Sequence, residues 1–130
     1  MKLLLLLFVL LHISYSTASS ISELRALITV KSSIADGPQS HLSNWNATTP
    51  LCSFTGVTCD YTGRHVTSIN LTQFTLSGTL SPSLAHLRHL RNLSVAANQF
   101  SGPIPMELAT LSSLRYLNLS NNAFNGSLLE

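Results

Sequence analysis

Apolar positions in the second half of the chain recur at a fixed interval. When the sequence is shifted by 24 residues, Ile69, Leu93 and Leu117 fall in one column. Leu71, Val95 and Leu119 form another, as do Leu76, Phe100 and Phe124, Gly78, Gly102 and Gly126, and Leu80, Ile104 and Leu128. The unit Leu90–Ser113, LRNLSVAANQFSGPIPMELATLSS, has repeat sequence on both sides. Within it, Leu93-Ser94-Val95 alternates in, out, in, the pattern of a short strand. Asn98 and Asn122 stand just past the strands, where an amide can satisfy backbone groups of the turn and of its neighbour. Gly102 and Gly126 mark tight bends. Pro103 and Pro105 force an extended path on the outer side. Leu108 and Leu111, like Leu84 and Leu87 one period earlier, bring the chain back to the core.

A period of this length with L-x-x-L-x-L-x-x-N is the signature of a leucine-rich repeat. The expected fold is therefore an α/β solenoid with short parallel strands on a concave face. Repeat 1 spans 66–89, repeat 2 spans 90–113, and 114–130 is a partial repeat 3. Such units are stabilised by stacking on one another. Repeat 1 departs from the pattern: Phe74 stands at the Asn position, and Ser81 replaces the proline matching Pro105. Terminal repeats are commonly atypical, and Phe74 is expected to pack on whatever precedes the array. Leu117, Leu119, Phe124 and Leu128 would offer an apolar edge to a further repeat. A truncated N-terminal portion is the expectation, with an open-ended three-repeat protein as the rival.

The pattern upstream differs. Lys2 precedes the unbroken apolar run Leu3–Leu11, followed by Ser16-Thr17-Ala18. This reads as a secretory signal peptide over 1–18. The run is too short for a membrane span, which needs roughly 20 apolar residues. Residues 19–65 form a cap. Leu24, Leu27, Ile28 and Ile34 share a helical face, predicting a helix from Ser20 to Ile34. Ser20 and Glu23 fit a capping box at its start, and Asp36-Gly37-Pro38 stops it. Leu42 and Trp45 anchor the next loop, with Trp45 as a core plug. Cys52 and Cys59 are the two cysteines, and in an exported chain a disulfide between them is the expectation. Half a zinc site is the rival, without a nearby pair of histidines to complete it.

Composition narrows the function. Charged residues make up 9% of the chain and the net charge is +2, with no run of Lys or Arg. Nucleic-acid binding is therefore not expected. Nor is a cofactor. His86 and His89 lack a third ligand and read as a solvated face. There is no G-x-S-x-G and no glycine-rich nucleotide loop, so no catalysis is expected. Asn46, Asn70, Asn92, Asn118 and Asn125 each begin an N-x-S/T sequon and are N-glycosylation candidates, with Asn46, in a loop, foremost. Asn70, Asn92 and Asn118 also fit the outward half of strand alternation. That alternation puts Ser68, Asn70, Thr72, Asn92, Ser94, Ala96, Tyr116, Asn118 and Ser120 on the concave face. Asn92, Ser94, Tyr116 and Asn118 are its binding candidates. Arg91 and Arg115, one period apart, could form a small basic stripe beside it.

Several motifs together resemble the ectodomains of plant leucine-rich-repeat receptor-like kinases. They are Leu42-x-x-Trp45, the C-x6-C loop enclosing Gly56-Val57, Arg64-His65-Val66-Thr67, Leu76-Ser77-Gly78-Thr79-Leu80-Ser81-Pro82 and Leu117-Asn118-Leu119-Ser120-Asn121-Asn122. The chain is most similar to the Clavata class and its barely-any-meristem receptors, with Phe54 where that cap usually has Trp. The resemblance implies a secreted, extracellular segment that binds a protein or small signalling peptide. It implies a co-receptor in a full-length parent at the plasma membrane, and a membrane span and serine/threonine kinase that this chain lacks. The alternatives are a stand-alone secreted binder or inhibitor and a truncated decoy.

Overall fold

A computed structural model describes residue 6 and residues 20–126. Leu6 apart, the expected signal segment lies outside these residues, as do Ser127 and Leu128. The first helix, α1, covers 20–32 and buries Ala26, Leu27 and Val30. It stops short of Ile34, which the apolar spacing had assigned to it. Ile34–Ala35 instead forms strand β1, antiparallel to β4, Ser77–Thr79. Gly78 makes this possible: its φ is +97°, and a Cβ there would collide with the Ser33 carbonyl oxygen. Thr79 N–H donates to that same oxygen at 3.0 Å. Tertiary pairing thus takes the last residues from the helix.

The capping-box reading of Glu23 is also corrected. Its carboxylate turns into the fold, where Oε1 accepts from Val66 N–H at 3.3 Å. Oε2 lies 3.5 Å from His65 Nδ1. Glu23 is 3% exposed and pins the cap helix to the start of the first repeat strand.

Two sheets run side by side along the molecule. On the concave face the order is β2 (Val57–Cys59), β3 (Val66–Asn70), β5 (Asn92–Ser94) and β7 (Tyr116–Asn118). β2 is antiparallel to β3, and the rest are parallel. The cap therefore supplies a strand that closes this sheet's edge, which blunts a pairing hazard. The second sheet is β1, β4, β6 (Gln99–Pro103) and β8 (Ala123–Asn125). Short 3-10 turns at Pro82–His86 and Met106–Thr110 return the chain on the outer side. Ser81, in place of proline, caps the first of them by accepting from Ser83 N–H.

The core runs without a break from cap to repeats: Leu27, Leu42, Trp45, Val66, Ile69, Leu76, Leu84, Leu87, Leu90, Leu93 and Phe100 are all at most 1% exposed. Trp45 is the expected plug. Its indole N–H donates to Thr55 O at 2.9 Å, and its ring stacks on Phe54. Phe74 meets the cap as expected, stacked on His41 at 4.5 Å. Asn98 is buried between repeats. Its Oδ1 accepts from Phe74 and Leu76 N–H, and its Nδ2 donates to Leu71, Val95 and Ala96 carbonyls. Asn122 repeats the pattern one period on, accepting from Phe100 N–H and donating to Val95, Leu119 and Ser120 carbonyls.

Candidate functional site

The register of the parallel strands fixes the geometry of the concave face. Ser68, Asn92 and Tyr116 lie in one row across β3, β5 and β7. Asn70, Ser94 and Asn118 form the next. The candidates differ in access. Asn92 is exposed and Tyr116 is 53% exposed. Ser94 is only 7% exposed, and its hydroxyl shares a 2.7 Å hydrogen bond with Thr72 Oγ1 in the turn just after β3. Ala96 is likewise buried. Asn118 donates to the Tyr116 hydroxyl oxygen at 3.2 Å, which steers the ring along the face. The accessible polar side chains of this face are therefore Ser68, Asn70, Asn92, Tyr116, Asn118 and Ser120.

Three sequon asparagines share one local geometry. Asn46 Oδ1 accepts from Thr48 N–H and Oγ1–H and from Thr49 N–H. Asn70 Oδ1 accepts from Thr72 N–H and Oγ1–H, and Asn118 Oδ1 from Ser120 N–H and Oγ–H. These are Asx turns, in which a short amide satisfies the backbone two residues on. Asn46 lies in the cap loop, while Asn70 and Asn118 lie on the concave face. Asn92 stands in the neighbouring row, and Asn125 is exposed on β8 of the other sheet.

The cap is covalently closed. Cys52 and Cys59 form a disulfide, with Cα atoms 5.6 Å apart. Beside it, burial pushes the Glu23 carboxyl up to about 7, partly opposed by the Val66 N–H and by the nearby His89 imidazole. Asp60, at the end of β2, is held below the usual carboxylate range, chiefly by the Thr62 hydroxyl. His89 stacks on His65 with ring centroids 3.8 Å apart, while His86 Nδ1 faces Ser83 O. His86 and His89, read from the sequence as a solvated face, are both exposed. The contact that matters joins residues 24 apart, and applying the repeat shift to polar columns would have found it. An open groove of about 490 Å³ lies between α1 and the Pro82–His86 turn, lined by Ile21, Arg25 and His86 among others. Among the described residues, no three His, Cys, Asp or Glu side chains cluster to hold a metal, and no helix is long and apolar enough to cross a membrane.

Sequence profiles agree with this architecture. That of the leucine rich repeat N-terminal domain matches residues 20–60, and that of the leucine rich repeat matches 89–111 and 113–130. The chain is a leucine-rich-repeat protein. It is similar to the serine/threonine-protein kinase BRI1-like 2 of Arabidopsis thaliana, with 42% identity over 78 residues. That match takes in 57% of the chain but 7% of the kinase, so the likeness concerns a small part of such a receptor. Among solved structures, the BIR2 ectodomain from Arabidopsis thaliana superposes with a TM-score of 0.74 at 37% identity, covering 81% of this chain and 57% of that one. The Arabidopsis receptor kinase HAESA, solved in complex with the peptide hormone IDA and the co-receptor SERK1, gives 0.72 at 33% identity. There, 81% of this chain covers 18% of HAESA. The chain thus has the fold and repeat sequence of plant leucine-rich-repeat receptor ectodomains. The finer likeness to the Clavata class rests on the cap and repeat motifs alone.

Proposed function

We propose that this chain forms the cap and first repeats of the extracellular ligand-recognition part of a plant leucine-rich-repeat receptor-like serine/threonine kinase. One observation carries the reading. A disulfide-closed cap seals one side of the concave sheet with β2, while the polar row Ser68, Asn92, Tyr116 stays open on its face. Such a face suits a protein or small secreted peptide, because solenoids present extended concave surfaces to partners. The peptide and co-receptor bound to HAESA support the same ligand class and the same kind of partner here. A stable interface buries about 800 Å² on each partner, more than three short strands readily supply. The role of this segment is then to start and seal the array, with later repeats adding ligand contacts. In such a receptor a membrane span and a kinase would follow the repeats, and the segment would face outward from the plasma membrane.

The test is to sequence the transcript beyond the codon for Glu130. Further repeats, a membrane span and a kinase in frame are the expected result. A stop codon directly after Glu130 in every transcript would replace the receptor reading with that of a stand-alone secreted binder or decoy.

A further inference from the structure

Three titratable side chains from three parts of the fold stand in one column. Glu23 comes from α1, His65 immediately precedes β3, and His89 lies three residues before β5. The Glu23 carboxylate is buried, and its Oε2 has no hydrogen bond among the described residues. That oxygen lies 3.5 Å from His65 Nδ1. The His65 ring, 23% exposed, stacks in turn on His89, with centroids 3.8 Å apart and planes 20° apart. The column thus runs from a buried acid to an exposed imidazole.

Its members differ in freedom to move. Glu23 is held by Val66 N–H, and His65 O accepts from Asp60 N–H at 2.9 Å. His89 sits in an exposed turn. Two residues on, Arg91 N–H donates to Thr67 O at 2.8 Å and fastens the start of β5 to β3. The other charges around the column come from each neighbouring segment. Asp60, at the end of β2, acts electrostatically on both Glu23 and His65. Arg64 and Arg88 precede the two histidines and Arg91 follows His89, all three exposed. Arg25, also on α1, lines the groove beside the Pro82–His86 turn.

All three members change charge in one pH interval. Imidazole gains its proton between about pH 5 and 8, and burial brings the Glu23 carboxyl up to about 7. At pH 8 the stacked rings are neutral and the carboxylate holds the column's charge. At pH 5 the carboxyl is neutral and the two rings are cations in face contact, which repel. From this geometry we infer that the His65–His89 stack is a proton-operated clasp between the first two repeat strands, closed at pH 8 and opened by acid, with His89 as its moving part. Burial of Glu23 alone acts in the opposite sense, favouring the folded chain in acid. A probe placed at the stack separates the two effects. The clasp does not rest on the receptor reading, and failure of either leaves the other standing.

The test is NMR of the isotope-labelled chain at pH 8 and pH 5. Nuclear Overhauser contacts between the His65 and His89 rings are expected at pH 8 and lost at pH 5. Protection of Arg91 N–H from hydrogen exchange, corrected for the intrinsic rate, should fall about tenfold over the same interval, as a coupling of about one pK unit implies. In His89→Gln, whose side chain takes no proton, that protection should be equal at both pH values. His86→Gln, outside the column, should behave as the wild type does. The inference is overturned if the ring contact persists at pH 5, if Arg91 protection in the wild type does not change, or if it falls equally in His89→Gln.

Discussion

Replacing Glu23 with glutamine tests the junction between the cap and the repeats. The carboxyl has an ordinary value of 4.5 and titrates at about 7 in the fold, chiefly because burial disfavours its charge. Between these two values the folded chain holds a proton that the unfolded chain has lost. Stability must therefore fall as pH rises from 4.5 to 7 and level off above that. The gap between the two values corresponds to about 3 kcal/mol. The amide of the Glu23→Gln variant would keep an oxygen for Val66 N–H without ever ionising. Urea unfolding of both proteins at pH 4.5, 6 and 8 gives the difference curve, in which other titrating groups largely cancel. Equal stability at pH 4.5 is expected, with Glu23→Gln more stable by about 3 kcal/mol at pH 8. If the variant were instead less stable at pH 8, the His65–Glu23 contact would be a net stabilising ion pair and the burial argument would be wrong.

Three further predictions concern the array. Cys52→Ser should cost about 2–3 kcal/mol and lower the yield of secreted protein, because the short loop loses its covalent closure; an unchanged melting temperature would count against this. Asn98→Ala should cost about 3 kcal/mol or more, since Phe74 N–H, Leu76 N–H and Leu71 O all lose a buried partner. The matching Asn122→Ala, at a half-buried site, should cost less, and equal losses in denaturant titrations would argue against burial as the cause. Ala97 has φ of +56°, in the column that also holds Gln73 and Asn121. Ala97→Asn should therefore add up to about 1 kcal/mol, read as a rise in unfolding midpoint.

The parts of the fold legible in the sequence are those set by local repetition. The 24-residue columns place Ile69, Leu93 and Leu117 on adjacent strands in direct register. Asn98 bonds its own turn and the preceding repeat, as its position implied. Phe74 and Trp45 pack where their size and context suggested. What was not legible depends on distant partners. Glu23 fits a local capping motif, but its partner lies 43 residues away. Ile34 continues the helical spacing, yet pairs with Gly78, whose missing side chain gives it room. Ser77-Gly78-Thr79 has no apolar alternation, so nothing local marks it as a strand; stacking against β6 makes it one. On the concave face, alternation gave the direction of Ser94 but not its closure beneath Thr72, which needs the turn that follows the neighbouring strand.

The most direct test of the extracellular reading is the intact mass of the chain expressed in plant cells, measured before and after reduction and deglycosylation. Protein recovered from the medium should begin at Ser19, gain two hydrogens when Cys52–Cys59 is reduced, and lose mass with peptide-N-glycosidase as a glycan leaves Asn46. Protein retained inside the cell that begins at Met1, with free thiols and no glycan, would contradict it.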